Sequence, residues 1–212
     1  MIEDMNRRPL ASRKTAWAAA LTRRLAATRI TPNQISAASI SMAAVSGAAF
    51  WLAGSTEGAI RGGLLICAAT FCQLRLLCNL LDGMVAIEAG KKASDGAFWN
   101  EFPDRIADIL ILAGAGYGIG EPALGWAAAA FAVFTAYTRE LGRVSGAQPD
   151  FSGPMAKPHR MAVMTAAALL SLFEPLWNGR NEVLIVALWL VTIGAVVTTL
   201  RRASRLLTHL RS

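Results

Sequence analysis

From Thr31 to Thr56 the chain runs for 26 residues without one charged side chain. Two more uncharged runs follow, of 17 residues over 122–138 and of 18 residues over 183–200. Crossing the hydrocarbon core of a bilayer takes roughly 20 residues of α-helix, so these runs have the length of transmembrane segments. A single run of this kind fits a buried core helix in a soluble domain; several in a chain of 212 residues do not. The low charged fraction of 17% points the same way, since soluble domains average about 25%. The reading is an all-α integral membrane protein.

Between these anchors the pattern resolves into six spans. They are expected at about 33–54, 58–81, 103–120, 122–141, 160–177 and 182–200. Thr31-Pro32-Asn33 reads as a helix start, with Thr31 as N-cap and Pro32 in the first turn. The only clean apolar stretch of the third span is 109–120, too short to cross, so that helix must extend back through Asp104, Arg105 and Asp108. The first 30 residues carry Arg7, Arg8, Arg13, Lys14, Arg23, Arg24 and Arg29 among Ala, Leu and Trp17. This pattern suits an amphipathic helix lying on an anionic membrane surface. No signal peptide is recognised there, so the segment is expected to stay on the protein. The whole of 1–212 reads as one domain, 1–30 a surface helix and 31–212 a six-helix transmembrane core.

Six spans put both termini on one side. With the termini in the cytoplasm, only Arg61 and Arg180 lie near the outer ends, which is the charge asymmetry expected of a multi-pass protein of the cell membrane. The net charge of +7 is thereby explained by residues flanking apolar segments, and nucleic acid is excluded as a partner because no soluble basic face remains. Cys67, Cys72 and Cys78 share one span without metal-ligand partners and read as small apolar packing residues.

The chemistry-bearing residues gather at the cytoplasmic ends of the second and third spans. Asn79, Asp82, Gly83 and Ala86 lie close to one helix face, and Gly96, Asn100, Asp104 and Asp108 repeat every fourth residue on another. Glu101 is read as lying in the sector of Asp104 and Asp108. Carboxylates beside hydrocarbon cost roughly 2.5–3.5 kcal/mol each at a helix centre, so a set of them calls for a cation or a polar cavity; helix-end acids that snorkel into solvent or pair with Arg75 and Arg105 are the plainer reading. Oxygen-only donors suit Mg²⁺ or Mn²⁺, which bind through a few carboxylates plus substrate phosphates. Gly83 and Gly96 allow a ligand to come close to the backbone.

The stretch from Asn79 to Asp104 resembles the signature of the CDP-alcohol phosphatidyltransferases, D-x-x-D-G-x-x-A-R-x8-G-x-x-x-D-x-x-x-D. Asp82, Gly83, Ala86, Gly96 and Asp104 match at the right spacing. Asn79 and Asn100 stand at the first and third aspartate positions, and Ile87 stands at the arginine. A shifted register, with Asp104 and Asp108 as the last two acids, keeps both aspartates but loses Gly96 and the loop length. The resemblance implies a phosphotransferase of phospholipid biosynthesis that moves a phosphatidyl group from a CDP-activated lipid to a small alcohol acceptor, releasing CMP. It further implies Asp104 as catalytic base and a divalent metal held by Asp82 with Asn79, Asn100, Glu101, Asp104 or Asp108. Gly83, Ala86 and Gly96 would meet the CDP, with Lys91 or Lys92 in place of the missing arginine. It also suggests a homodimer.

A second cluster, Arg139, Arg143, Lys157 and Arg160, lies where family members with a phosphorylated acceptor carry basic residues. Guanidinium forks and an ammonium suit a phosphate dianion, so a sugar or polyol phosphate is the expected acceptor; simple positive-inside residues are the plainer reading of the same four. Two alternatives stand beside this one. A degenerate relative would bind CDP-lipid without turnover, and a transporter would use the acids as a cation pathway, although no internal repeat or symmetric pair of broken helices supports the latter.

Overall fold

The structure, a computed structural model, describes residues 15–88, 90 and 95–211. Every regular element among them is helical: α1 (Ala16–Ala26), α2 (Pro32–Gly54), α3 (Gly58–Glu88), α4 (Gly96–Gly118), α5 (Pro122–Val144), α6 (Lys157–Leu170) and α7 (Glu182–Arg211). A 3-10 turn, Ser171–Trp177, extends α6.

Local sequence explains most of the boundaries. At the start of α2 the Thr31 hydroxyl accepts from the Gln34 amide at 3.3 Å while the Gln34 side chain accepts from the Thr31 amide at 2.9 Å. This reciprocal cap, with Pro32 behind it, satisfies donors that the first turn leaves open. Pro122 and Pro158 stand in the first turns of α5 and α6 in the same way. Two helices are longer than the apolar pattern suggests. Helix α3 runs on to Glu88, and α4 begins at Gly96 and passes straight through Pro103. A proline there removes one backbone donor, a loss the flanking turns absorb. The expected fifth span instead divides into an α-helix and a 3-10 turn, because Pro175 cannot continue the α-helical ladder.

Helices α2, α3 and α7 are each long and apolar enough to cross a bilayer. Large side chains including Trp51, Ile60, Trp126, Phe134, Trp189 and Leu200 are exposed along the bundle. So much contiguous apolar surface marks contact with lipid, and the chain is a membrane protein. Only Ala16–Ala26 of the expected N-terminal surface helix is described as helical; Arg7, Arg8, Arg13 and Lys14 lie outside the described residues. Its apolar side, with Leu21 and Leu25, packs against Ile35, Leu81 and Val85.

The core is centred on Phe50, Leu65, Ile111, Leu112, Met164 and Leu188. Helix α2 packs most extensively on α3 and α4, α5 packs on α4 and α7, and α6 on α3 and α7. The crossing of α2 and α4 depends on glycine: a Cβ on Gly114 would sit 2.3 Å from the Gly47 carbonyl oxygen, and one on Gly47 would sit 2.2 Å from that of Leu110. Helices in lipid gain no hydrophobic drive from associating and rely on such close backbone approach. Gly114→Val should therefore separate α2 from α4 and cost at least about 1–3 kcal/mol, read as a lowered midpoint of thermal unfolding in detergent. An unchanged midpoint would show that the crossing tolerates a larger spacing.

Candidate active site

The end of α3 and the start of α4 bring their oxygen-bearing faces together. Asn79 Nδ2 donates to Asp104 Oδ1, and one turn earlier Arg75 Nη2 reaches the Asp104 carbonyl and Oδ1, each at 3.3 Å. Asp82 lies on the same face of α3 and is buried. Its carboxylate accepts from Ser36 Oγ of α2 at 2.6 Å and from the Gly83 amide. Three helices thus converge on two carboxylates. Among the described residues, a Cβ added to Gly83 or Gly96 would meet nothing within 4 Å.

Asn33 of α2 donates to both Asp95 carboxylate oxygens, at 3.3 and 3.2 Å, and the Trp99 indole donates to Asp95 at 2.9 Å. These contacts tie the loop before α4 to the start of α2. Lys91 and Lys92 fall within that loop and lie outside the described residues. Ala86 is half-buried on α3, and Asn100 is exposed at the start of α4.

Glu101 and Asp108 are not part of this convergence. Three residues of helix leave Glu101 about 60° around the axis from Asp104, and there it pairs with Arg105 on its own helix and Arg139 on α5. Asp108 is completely buried, with Arg160 Nη2 at 2.5 Å and Arg75 Nη2 at 3.6 Å. The shared sector expected from sequence therefore separates into a site-facing acid, Asp104, an acid committed to α5 and an acid locked in the core.

The second basic cluster is distributed in the same manner. Arg139 pairs with Glu101 and Glu140 and lies over the Phe151 ring at 5.3 Å; Arg143 binds Glu140 at 2.8 Å. Arg160 is buried by Asp108, Thr135 Oγ1 at 3.2 Å and the Met155 carbonyl at 2.9 Å. Lys157 alone among the four reaches the site, with Nζ against Asp104 Oδ2.

Four contributors had no signal in the motif. Ser36 orients Asp82; only its place one turn into α2 hints at it. Arg75 precedes Asn79 by four residues and so shares its face, a spacing that was available to be read. Arg202 and Arg205 on α7 hold the segment leading to Lys157: Arg202 donates to the Ser152 and Thr135 carbonyls, and Arg205 contacts Asp150 at 3.1 Å. Burial disfavours the charge on Asp150, but the hydrogen bonds from Ser152 and the guanidinium of Arg205 outweigh it and hold its carboxyl below the usual range.

The donors fit a hard divalent cation of the Mg²⁺ or Mn²⁺ kind. Asp82, Asp104 and the amide groups of Asn79 and Asn100 all offer oxygen donors, and such ions complete their shell from substrate phosphates and water. Among the described residues no group of three or more His, Cys, Asp or Glu side chains is gathered for a metal.

No protein-family model matches the chain. Its sequence is 31% identical over 150 residues to the phosphatidylinositol phosphate synthase of Mycolicibacterium smegmatis, covering 66% of this chain and 65% of that protein. The corresponding synthase of Streptomyces avermitilis is 28% identical over 132 residues, 58% of this chain and 54% of the relative. The chain thus spans less than two thirds of either. The crystal structure of the Mycobacterium tuberculosis phosphatidylinositol phosphate synthase with manganese and citrate superposes with a TM-score of 0.75 over 90% of this chain and 89% of that one, at 21% identity. The same synthase with CDP-DAG bound gives 0.75 over 91% and 94%, at 20% identity. In sequence and in fold the chain is similar to these CDP-alcohol phosphatidyltransferases. Against the signature of that family the chain has Asp82 and Asp104, with Asn79 and Asn100 at the other two aspartate positions and Ile87 at the arginine.

Removing one partner of a buried ion pair leaves an uncompensated charge and costs about 3–5 kcal/mol. Asp108→Asn should lower stability in detergent by that order, and Asp108→Leu combined with Arg160→Met should recover most of it. Failure of the pair to recover would mean that Arg160 matters through Thr135 and Met155 instead.

Proposed function

We propose that this chain transfers a phosphatidyl group from a CDP-alcohol such as CDP-diacylglycerol to the hydroxyl of a small acceptor, releasing CMP, in phospholipid synthesis. The observation that carries the reading is the hydrogen bond from Asn79 to Asp104 across α3 and α4, with buried Asp82 on the same face of α3 as Asn79, at the spacing of the family motif. That a fold neighbour binds CDP-DAG and another crystal of it holds manganese supports the choice of substrate and ion.

Asp82, with the amide oxygens of Asn79 and Asn100, would hold Mg²⁺ or Mn²⁺. When bound, the ion supplies positive charge to the diphosphate and to departing CMP. Asp104 takes the proton from the attacking acceptor hydroxyl. Ser36 fixes the Asp82 carboxylate so that little reorganisation is needed when the nucleotide arrives. Gly83, Ala86 and Gly96 give the nucleotide access to the helix ends. Lys157 is the cation placed to meet the acceptor, whether polyol or polyol phosphate, since it alone of the four contacts Asp104, while Arg139, Arg143 and Arg160 pair with other carboxylates. Helices α2 to α7 serve as six membrane spans in this reading, with the α6 helix and its 3-10 turn making one. The distribution of arginines places both termini and the site on the cytoplasmic side. The family resemblance adds a homodimer.

Detergent-purified protein given CDP-diacylglycerol, Mn²⁺ and a panel of polyols and polyol phosphates should release CMP only when an acceptor is present. Asp104→Asn should slow release by roughly 10²-fold or more while CDP-lipid binding is retained. Absence of release with every acceptor would overturn the transferase reading. Release appearing only after Asn79→Asp with Asn100→Asp would identify the native chain as a lipid-binding relative that has lost turnover.

A further inference from the structure

Among the described residues, the cations paired directly with the buried acids match them in number. Asp82 and Asp104 lie at the site and Asp108 one turn deeper, linked to Asp104 through Arg75, while Asn79 and Asn100 contribute oxygens without charge. Against them stand three cations: Arg75 on Asp104 and Asp108, Lys157 on Asp104, and Arg160 on Asp108. Asp82 differs from the other two acids in taking its hydrogen bonds from neutral donors, Ser36 Oγ and the Gly83 amide.

Two of these cations cannot step aside when a substrate arrives. The side chains of Arg75 and Arg160 are 0% and 1% exposed, whereas that of Lys157 is 24% exposed and can swing away. Arg75 is also incompletely satisfied: its Nε and Nη1 have no hydrogen-bond partner among the described residues. A buried guanidinium with orphaned donors is costly. As a fixed positive charge one turn before Asn79 it has a clear electrostatic effect, because in a low-dielectric site it opposes any further cation near Asp104.

We propose that this site takes one divalent cation, held at Asp82, and that the buried guanidinium of Arg75 stands in place of a second. The inference rests on the transferase reading. One ion brings two positive charges, which the diphosphate of a CDP-lipid offsets. Two ions would bring four into a set of side chains whose net charge is near zero. Arg75 acts through Asp104 and the local field, as a positioning residue.

The test is a count of bound Mn²⁺ per chain by elemental analysis after equilibrium dialysis with saturating CDP-diacylglycerol, with electron paramagnetic resonance to detect spin coupling between neighbouring ions. The native protein should hold one uncoupled Mn²⁺, and Asp82→Asn should weaken its binding by roughly tenfold or more. Asn79→Asp/Asn100→Asp/Arg75→Met should hold two; Arg75→Gln replaces the methionine if that variant does not elute as native protein. Two ions in the native chain, none, or one that is indifferent to Asp82→Asn would overturn the proposal. A triple variant that elutes as native yet holds one ion would overturn the role given to Arg75. CMP release measured on the same samples separates the two readings: release with two ions removes the single-ion site and keeps the transferase, and one ion without release does the reverse.

Discussion

The buried contact of Asp108 with Arg160 and Arg75 fixes how the helices of the site end stand against one another. Asp108 belongs to α4, Arg75 to α3 and Arg160 to α6, and all three side chains are essentially out of solvent. Removing a carboxylate and a guanidinium from water costs several kcal/mol each, and their attraction returns about that much when the geometry is good. The net gain in stability is therefore small, but the alternatives are heavily penalised. Sliding α6 by one turn along α4 would strand two charges in an apolar core. The pair consequently sets the register of α6, and with it the position of Lys157 three residues earlier, against Asp104. The arginines of α7 extend the same constraint, since Arg202 and Arg205 hold the 150–152 segment that leads into α6.

A second constraint acts between α2 and α4. Gly47 and Gly114 let the two backbones touch, which draws α2 close enough to α4 and α3 for Ser36 to reach Asp82 across the helix end. The polar contact at 2.6 Å thus rests on an apolar one several turns away. A serine hydroxyl positions a carboxylate only when the helix bearing it is held to within a few tenths of an ångström, and glycine-mediated crossings of this kind provide that stiffness. The packing in the middle of the bundle and the chemistry at its end are linked through one helix.

Much of this arrangement was legible in the sequence because it depends on local rules. The uncharged runs and the prolines at 32, 122 and 158 mark helix starts through steric and capping effects that act within one turn. The four-residue spacing of Asn100, Asp104 and Asp108 placed them near one face for the same reason. What remained hidden depends on partners far along the chain. Glu101 stands about 60° from Asp104 by helical angle, close enough to be read into one sector, and its pairing with Arg105 and with Arg139 on the next helix holds it away. Arg160 looks like a phosphate ligand until Asp108 is found beside it. The passage of α4 through Pro103 was hidden too, because neighbouring turns can carry a helix across one missing donor. The helix ends are local facts; the identity of each ion pair is a tertiary one.

The two ends of the bundle use buried charge differently, and the contrast bears on which end does chemistry. At the far end Glu174 accepts from Arg61 and from the backbone amides of Asn181 at 3.0 Å and Val183 at 2.9 Å, while Arg61 also donates to Asn181 Oδ1 at 3.2 Å. Each charge there finds several partners, and a network so fully satisfied rigidifies the junction between the 3-10 turn and α7. Among the described residues, Arg75, Asp108 and Arg160 at the site end all keep buried polar atoms without a hydrogen-bond partner. Unsatisfied groups in a low-dielectric setting carry a penalty, and the arrangement that tolerates them holds strong fields ready for a charged group. In the transferase reading proposed above, a site for a metal-bound diphosphate carries that cost in advance, because groups that relaxed onto one another completely would have to be pulled apart when the substrate bound. The incompleteness of the charge network among Arg75, Asp108 and Arg160, set against its completeness around Glu174, is the physical difference between the two ends of the bundle.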